Sequence, residues 1–277
     1  MLRELDLVER LDAHDFGDVT PDVPYRDTER PDGRVRNEDD VAGYSGRLAR
    51  RVAEIAGRNH FVVLLGGDCS ILLGALAGLR DARGEVGLVY IDAHADFASL
   101  EESPSGSACS MNLALASGRY DRGPLARLAG DSALVEPAHT VHIGRRDEDD
   151  AAYGSEALRE SAISDVPARR VRARGPETVA REALERAAEA PGGFWIHFDV
   201  DVLDPELMPA VDSPLPDGFS AKELESLAKP LVRHPAALGL QVTIYDPTLD
   251  PERSAARLLV DLLAQVLAAS PEDAARA

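Results

Sequence analysis

Apolar positions along the chain fall into two patterns. Continuous apolar runs occur at Phe61–Leu65, Val86–Ile91, Thr140–Ile143, Phe194–Phe198 and Leu238–Ile244. Runs of this length read as strands buried on both faces. Val166–Val171 reads as a further, edge strand, weakened by its arginines. Between the runs, apolar residues recur at helical spacing. Met1–Ala13 predicts a helix through Leu2, Leu5, Leu7, Val8 and Leu11. Further helices are predicted from Asn37, as N-cap, to about Ile55, and over Ile71–Leu79, Met111–Ala116, Pro176–Ala190 and Ser254–Ala268. Phe16–Pro24, Tyr25–Val35 and Ser99–Ser110 read as loops, and Pro271–Ala277 as a frayed tail. Strands alternating with helices predict one domain over residues 1–277: a three-layer α/β/α fold around a mainly parallel sheet.

Three of the apolar runs end in acidic or glycine-rich clusters. Val86–Ile91 leads into Asp92-Ala93-His94-Ala95-Asp96, and Phe194–Phe198 into Asp199-Val200-Asp201. Phe61–Leu65 leads into Gly66-Gly67-Asp68-Cys69-Ser70. Open α/β sheets carry their chemistry at the carboxyl ends of strands, so these clusters are expected to meet. Alternate residues of an extended segment share a face, which lets Asp92, His94 and Asp96 point together, and Asp199 with Asp201. Carboxylates at that density repel unless a cation neutralises them. A divalent metal site, binuclear if all of them converge, is the simplest expectation.

Composition narrows the choice of partner. The chain has 277 residues, 44% hydrophobic and 29% charged, with a formal net charge of −19. Such a surface repels nucleic-acid phosphates, so no nucleic-acid partner is expected. No apolar stretch is long enough to span a membrane, and the first residues lack a signal-peptide pattern. Two cysteines, Cys69 and Cys109, are too few for a disulfide framework. A reducing cytoplasmic setting is expected.

The clusters resemble the motifs of the ureohydrolase superfamily, which includes arginases, agmatinases and formimidoylglutamases. Gly66 to Ser70 is similar to GGDHS, Asp92 to Asp96 to DAHxD, and Phe198 to Pro205 to FDxDxxDP. The segment Ser105 to Ser110 resembles the substrate loop, and Gly144 to Asp149 resembles GxRDxD. The motifs stand in the family's order and cover nearly the whole chain. The resemblance implies two Mn²⁺ ions, with other divalent metals as substitutes. It implies that Asp92 and Asp199 bridge them, that Cys69 and Asp96 complete one shell, and that His94 and Asp201 complete the other. It further implies an acidified water attacking a planar amidine carbon, with Asp96 relaying a proton to the leaving nitrogen. Ser105, Ser107, Asp147 and Asp149 are the implied substrate-binding residues, and a homo-oligomer, trimeric or hexameric, is the implied assembly.

Several positions depart from the family pattern. Cys69 replaces the histidine of GGDHS and is either a soft metal ligand or a packing residue. Cys109 replaces a histidine of the substrate loop and is either a catalytic group or a plain loop residue. A reactive thiolate at either cysteine is a third, separate chemistry. Ser107 and Ala98 replace asparagines that help bind an amino-acid carboxylate. Ile244 replaces a glutamate that grips the guanidinium in arginases, and an isoleucine cannot pair with a cation. The expected activity is therefore metal-dependent hydrolysis of a C–N bond in a small guanidino or amidino compound, such as a hydroxyguanidine, rather than ordinary arginine. The rival is a non-catalytic member serving as a binding or assembly protein. Asp147 and Asp149 either meet substrate or pair with Arg145 and Arg146. His197 reads as a core residue rather than a partner of the site, and Asp68 either orients a ligand or caps a helix. Family members usually begin with a strand and a Gly-rich loop, whereas this chain opens directly on helical sequence.

Overall fold

The structure, a computed structural model, describes residues 1–268 except 25, 27, 30, 31, 131, 151 and 152. Among these residues six strands form one sheet: β1 (Val62–Leu65), β2 (Gly87–Ile91), β3 (Thr140–Ile143), β4 (Ser164–Val166), β5 (Phe194–Asp199) and β6 (Ala237–Thr243). Their order is β1-β6-β5-β2-β3-β4, and every neighbouring pair is parallel. The helices are α1 (Leu7–Arg10), α2 (Glu38–Ala56), α3 (Ile71–Arg83), α4 (Asn112–Ala116), α5 (Gly123–Ala126), α6 (Ser155–Glu160), α7 (Ala168–Arg174), α8 (Pro176–Ala187), α9 (Ala221–Val232) and α10 (Ser254–Leu267).

The central strands β2 and β5 are buried at every residue, which explains their unbroken apolar sequences. Their alternate side chains feed two cores. Leu88, Tyr90 and Trp195 join α2, α3 and α4 on one face. Val89, Ile91, Ile196 and Phe198 join α8, α9 and α10 on the other. The sheet is thus the middle of three layers.

The chain leaves β2 over the α4 face toward β3, and leaves β5 over the α9 face toward β6. β2 and β5 are neighbours, so their following loops diverge and open a crevice at the carboxyl ends of both strands. Ile91 pairs with Phe198 in register. Asp92 and Asp199 are the next positions, and the topology sets them side by side.

Four sequence expectations change. Met1–Ala13 is not one helix. Asp6 adopts a left-handed φ of 59° between a 3₁₀ turn at Leu2–Leu5 and α1, while Leu2 and Leu7 still reach the core. The edge strand is Ser164–Val166, because Pro167 offers no N–H to a ladder and instead opens α7. Asn37 precedes α2, but its side chain donates to the Arg26 carbonyl and accepts from Thr28 Oγ1 instead of capping the helix. Helix α9 escaped the pattern reading, although Ser220 and Glu223 carry its capping box. The short helices α5 and α6 were likewise not anticipated, and the other elements lie within a few residues of their expected bounds. Pro271–Ala277 lies outside the described residues.

Helices α2 and α3 approach closely where α3 has glycines. A Cβ at Gly78 would stand 2.3 Å from the Ala49 carbonyl oxygen, whereas one at Gly46 of α2 would meet nothing within 4 Å. Gly78→Ala should therefore destabilise the fold by about 1–3 kcal/mol, and Gly46→Ala should stabilise it by up to about 1 kcal/mol. Urea unfolding of the two variants measures both, and equal midpoints would mean that the helices do not meet this way.

Candidate metal centre

Strand ends and one loop deliver the predicted acids to a single buried place. Cys69, Asp92, His197 and Asp199 each place a ligand atom within 4.8 Å of the others, and Asp92, His94 and Asp201 form a second such group. Asp92 belongs to both. Cys69 comes from the β1–α3 turn and crosses the end of β6. Its Sγ donates to Asp199 Oδ2 at 2.7 Å and lies 3.3 Å from Thr243 Oγ1. His94 Nδ1 lies 2.9 Å from Asp201 Oδ2 and 3.7 Å from Asp92 Oδ1.

Backbone N–H groups support the carboxylates. His94 N–H donates to Asp92 Oδ1 at 2.7 Å, Asp201 N–H to Asp199 Oδ1 at 2.9 Å, and Ala93 N–H to Asp201 Oδ1 at 3.2 Å. One buried oxygen, Asp92 Oδ2, makes no hydrogen bond of ordinary length, its nearest donor being His197 Nε2 at 3.4 Å. A donor set of carboxylates, imidazole and thiol with an orphaned carboxylate oxygen at its centre fits divalent cations.

Electrostatics agree with that fit. Burial, with the charges of Asp201 and Asp92, holds the Asp199 carboxyl well above the usual carboxylate range. Burial and Asp92 do the same to Asp96, and burial raises Asp201. Burial also pushes at Asp92, but the neighbouring imidazoles of His197 and His94 outweigh it and hold this carboxyl below its ordinary range. Burial alone would lower His94, but Asp201 and Asp92 raise it to about 12. Burial holds the Cys69 thiol well above its ordinary value. The neighbouring Cys69 thiol lowers the Cys109 pKa, yet burial and nearby acids carry it to about 11.

Asp96 lies in neither donor group. Its Oδ2 accepts from Tyr90 Oη at 2.8 Å and from Asn112 Nδ2 at 2.7 Å, and its backbone φ is 47°. Asp147 is buried and accepts from Ala95 N–H at 2.8 Å, with Arg145 at 3.5 Å, so it ties the β3 loop to the β2 loop. Ser105 Oγ accepts from Ser107 N–H and Ser107 Oγ from Cys109 N–H, within the loop after β2. Asp149 is exposed on the loop after β3.

The model of the arginase family matches residues 2–269. The chain belongs to the arginase family. It is 30% identical to the arginase of Bacillus caldovelox over 267 residues, which covers 95% of this chain and 88% of that protein. It is 29% identical to the arginase of Bacillus subtilis, covering 96% and 89%. The solved structure of the Bacillus caldovelox arginase superposes with a TM-score of 0.86, covering 98% of this chain and 91% of that one. No helix among the described residues is long and apolar enough to cross a membrane.

Within this arginase-family frame, the sequence reading took His197 for a core residue and left Tyr90 and Asn112 unnoticed. His197 Nε2 lies 3.4 Å from Asp92 Oδ2, rather than being a mere core filler. Tyr90 stacks on His197 with ring centroids 4.1 Å apart, and Asn112 bonds both Tyr90 and Asp96. Strand parity was the available signal, since Tyr90 and His197 stand two residues before Asp92 and Asp199 and so share their face. Ile244, at the end of β6, has a left-handed φ of 72°, and its N–H donates to the Gly67 carbonyl at 2.9 Å. A β-branched residue held there stores about 1–3 kcal/mol of strain.

The raised carboxyls set a pH dependence. A carboxyl whose pKa rises on folding supports the fold below its unfolded value and loses that contribution as pH climbs through the folded one. His94 acts in the same direction, since its support is lost as pH rises toward about 12. Asp92 acts oppositely, its support being lost on acidification. Without a cation the site thus favours folding less as pH rises, and a divalent ion removes that penalty. Saturating Mn²⁺ or Zn²⁺ should raise Tm more at about pH 8 than at about pH 5.5. An equal rise at both would place the cations elsewhere.

Proposed function

We propose that this chain hydrolyses a C–N bond in a small guanidino or amidino compound other than free arginine, using two divalent cations, Mn²⁺ first among them. The observation that carries this reading is Asp92, a single buried carboxylate common to both donor groups. Asp92 and Asp199 would bridge, Cys69 and Asp96 would serve one cation, and His94 and Asp201 the other. Bound there, the cations would acidify a water for attack on the amidine carbon.

The remaining roles fall to the chain's own residues. Burial and the neighbouring Asp92 charge push the Asp96 carboxyl above its ordinary range, the direction that suits a group delivering a proton to the leaving nitrogen. Tyr90 and Asn112 fix one of its oxygens and leave the other for a cation. Ser105, Ser107 and Asp149, on the loops after β2 and β3, would meet the far end of the substrate, and Asp147 would act by holding those loops together. Ile244 offers the guanidine end an apolar wall where a carboxylate would have paired with it. Likeness to the family adds a cytoplasmic homo-oligomer, trimeric or hexameric, whose mass light scattering reads directly.

Release of urea, or of a substituted urea, by the metal-loaded protein across a panel of guanidino compounds tests the activity, with Asp199→Ala as a control expected to be inactive. A hydroxyguanidine or another modified amidine should exceed arginine in kcat/KM by about tenfold or more, roughly 1.4 kcal/mol in transition-state binding. Arginine emerging as the best substrate would refute the role given to Ile244, and full activity in Asp199→Ala would refute the metal reading.

Cys69 sets which ion is preferred. A thiolate beside carboxylates is softer than the imidazole it replaces, so Mn²⁺ should bind this position weakly. Cys69→His should raise Mn²⁺ occupancy there and leave the His94–Asp201 position unchanged. Metal stoichiometry under reducing conditions decides, and identical stoichiometry and affinity in the two proteins would show Cys69 to be a packing residue.

A further inference from the structure

Behind Asp92 a row of buried hydrogen bonds crosses the middle of the sheet. Trp195 of β5 donates its indole N–H to Gln241 Oε1 of β6 at 2.9 Å. The amide oxygen is thereby taken, so the amide NH₂ faces the other way. On that side Gln241 Nε2 lies 2.7 Å from His197 Nδ1. A donor at that distance needs a lone pair on Nδ1, which leaves the ring's single proton on Nε2. Turning the amide over would set its NH₂ against the indole N–H, donor against donor. Tyr90, stacked on the ring with an interplanar angle of 11°, keeps the imidazole from turning away. Trp195, Gln241 and His197 are completely buried, so no water relieves a mismatch along the row.

Nε2 of His197 has two conceivable uses. It lies within reach of Cys69, Asp92 and Asp199, where a ring nitrogen would replace the imidazole missing at position 69. It also lies 3.4 Å from Asp92 Oδ2, and neither atom has another hydrogen-bond partner. Ligation needs a lone pair on Nε2, and the row puts the proton there. The geometry points to the second use. His197 is a positioning residue that donates from Nε2 to Asp92, and Gln241, oriented by Trp195, sets its tautomer. A ring approach of about 0.3 Å brings the contact to ordinary hydrogen-bond length. One oxygen of the shared carboxylate is held in place by this donor, and the cation nearest Cys69 gains no imidazole. The tautomer stands on the hydrogen bonds alone, whereas its role at a cation rests on the function proposed above.

Two-bond ¹H–¹⁵N NMR on metal-free protein labelled at histidine reads the tautomer, with the His197 signal identified by its loss in His197→Asn. The expected pattern is Nε2–H, kept when Zn²⁺ is added. An Nδ1–H pattern, or a metal-coordinated Nε2 on Zn²⁺ addition, would overturn the assignment. Gln241→Glu then reverses the logic, because a carboxylate accepts from both Trp195 and His197 Nδ1–H and bares Nε2. Zn²⁺ affinity, read by competition with a chelating dye, should rise about tenfold, with no equal gain for Mn²⁺. An unchanged tautomer and unchanged affinity in that variant would remove Gln241 from its role. If Gln241→Glu does not fold, the wild-type spectrum decides by itself. A protein inactive on every guanidino compound yet showing Nε2–H would sink the hydrolase reading and leave this one standing.

Discussion

Mutual repulsion among buried carboxylates governs this molecule. Asp92, Asp96, Asp199 and Asp201 are each at most 5% exposed and sit around one crevice. Like charges so enclosed are tolerated only where something answers them. Part of the answer is local backbone geometry, since three N–H groups of the same two loops point at the acids. Part is the pair of imidazoles, His94 and His197, on either side of Asp92. The rest is what the proposed cations would supply, and the placement of surrounding residues follows from keeping the acids in that arrangement.

Several contacts distant from the acids serve the same end. Arg145 forms a two-pronged pair with Asp165 of β4 at 2.8 and 2.7 Å, and also reaches Asp147, which in turn holds Ala95 between His94 and Asp96. Arg146 donates to the carbonyls of Asp201, Val202 and Leu215, pinning the loop after β5. His142 of β3 meets the His94 carbonyl at 2.7 Å. Consecutive arginines thus brace the two acid-bearing loops, which explains why a polar GxRDxD-like segment belongs beside the site.

Much of the architecture was legible because β2 and β5 are buried on both faces and their sequences are therefore apolar without interruption. The acids were legible for the converse reason, since charge directly after such a run has nowhere to go but a strand end. Elements with mixed periodicity were not. Pro167 turned an arginine-rich stretch from strand to helix, and Asp6 broke what reads as one continuous helical period. At the site, the donors within a strand were hidden by their surroundings: His197 and Tyr90 sit inside apolar runs and look like core. Whether Asp96 faces inward or toward Tyr90 and Asn112 depends on a left-handed backbone turn that spacing does not encode.

The left-handed backbone at Ile244 has a bearing on how such a pocket changes over time. The conformation is imposed by the end of β6 and by the bond to Gly67, not by the side chain. A β-branched side chain carries the largest conformational cost there, an unbranched one less, and glycine or asparagine the least. On the function proposed above, replacing the isoleucine with an unbranched side chain would alter what the pocket greets and would relieve backbone strain rather than add it. On that function, a lineage can wander between substrates through this position without first acquiring compensating mutations in the core.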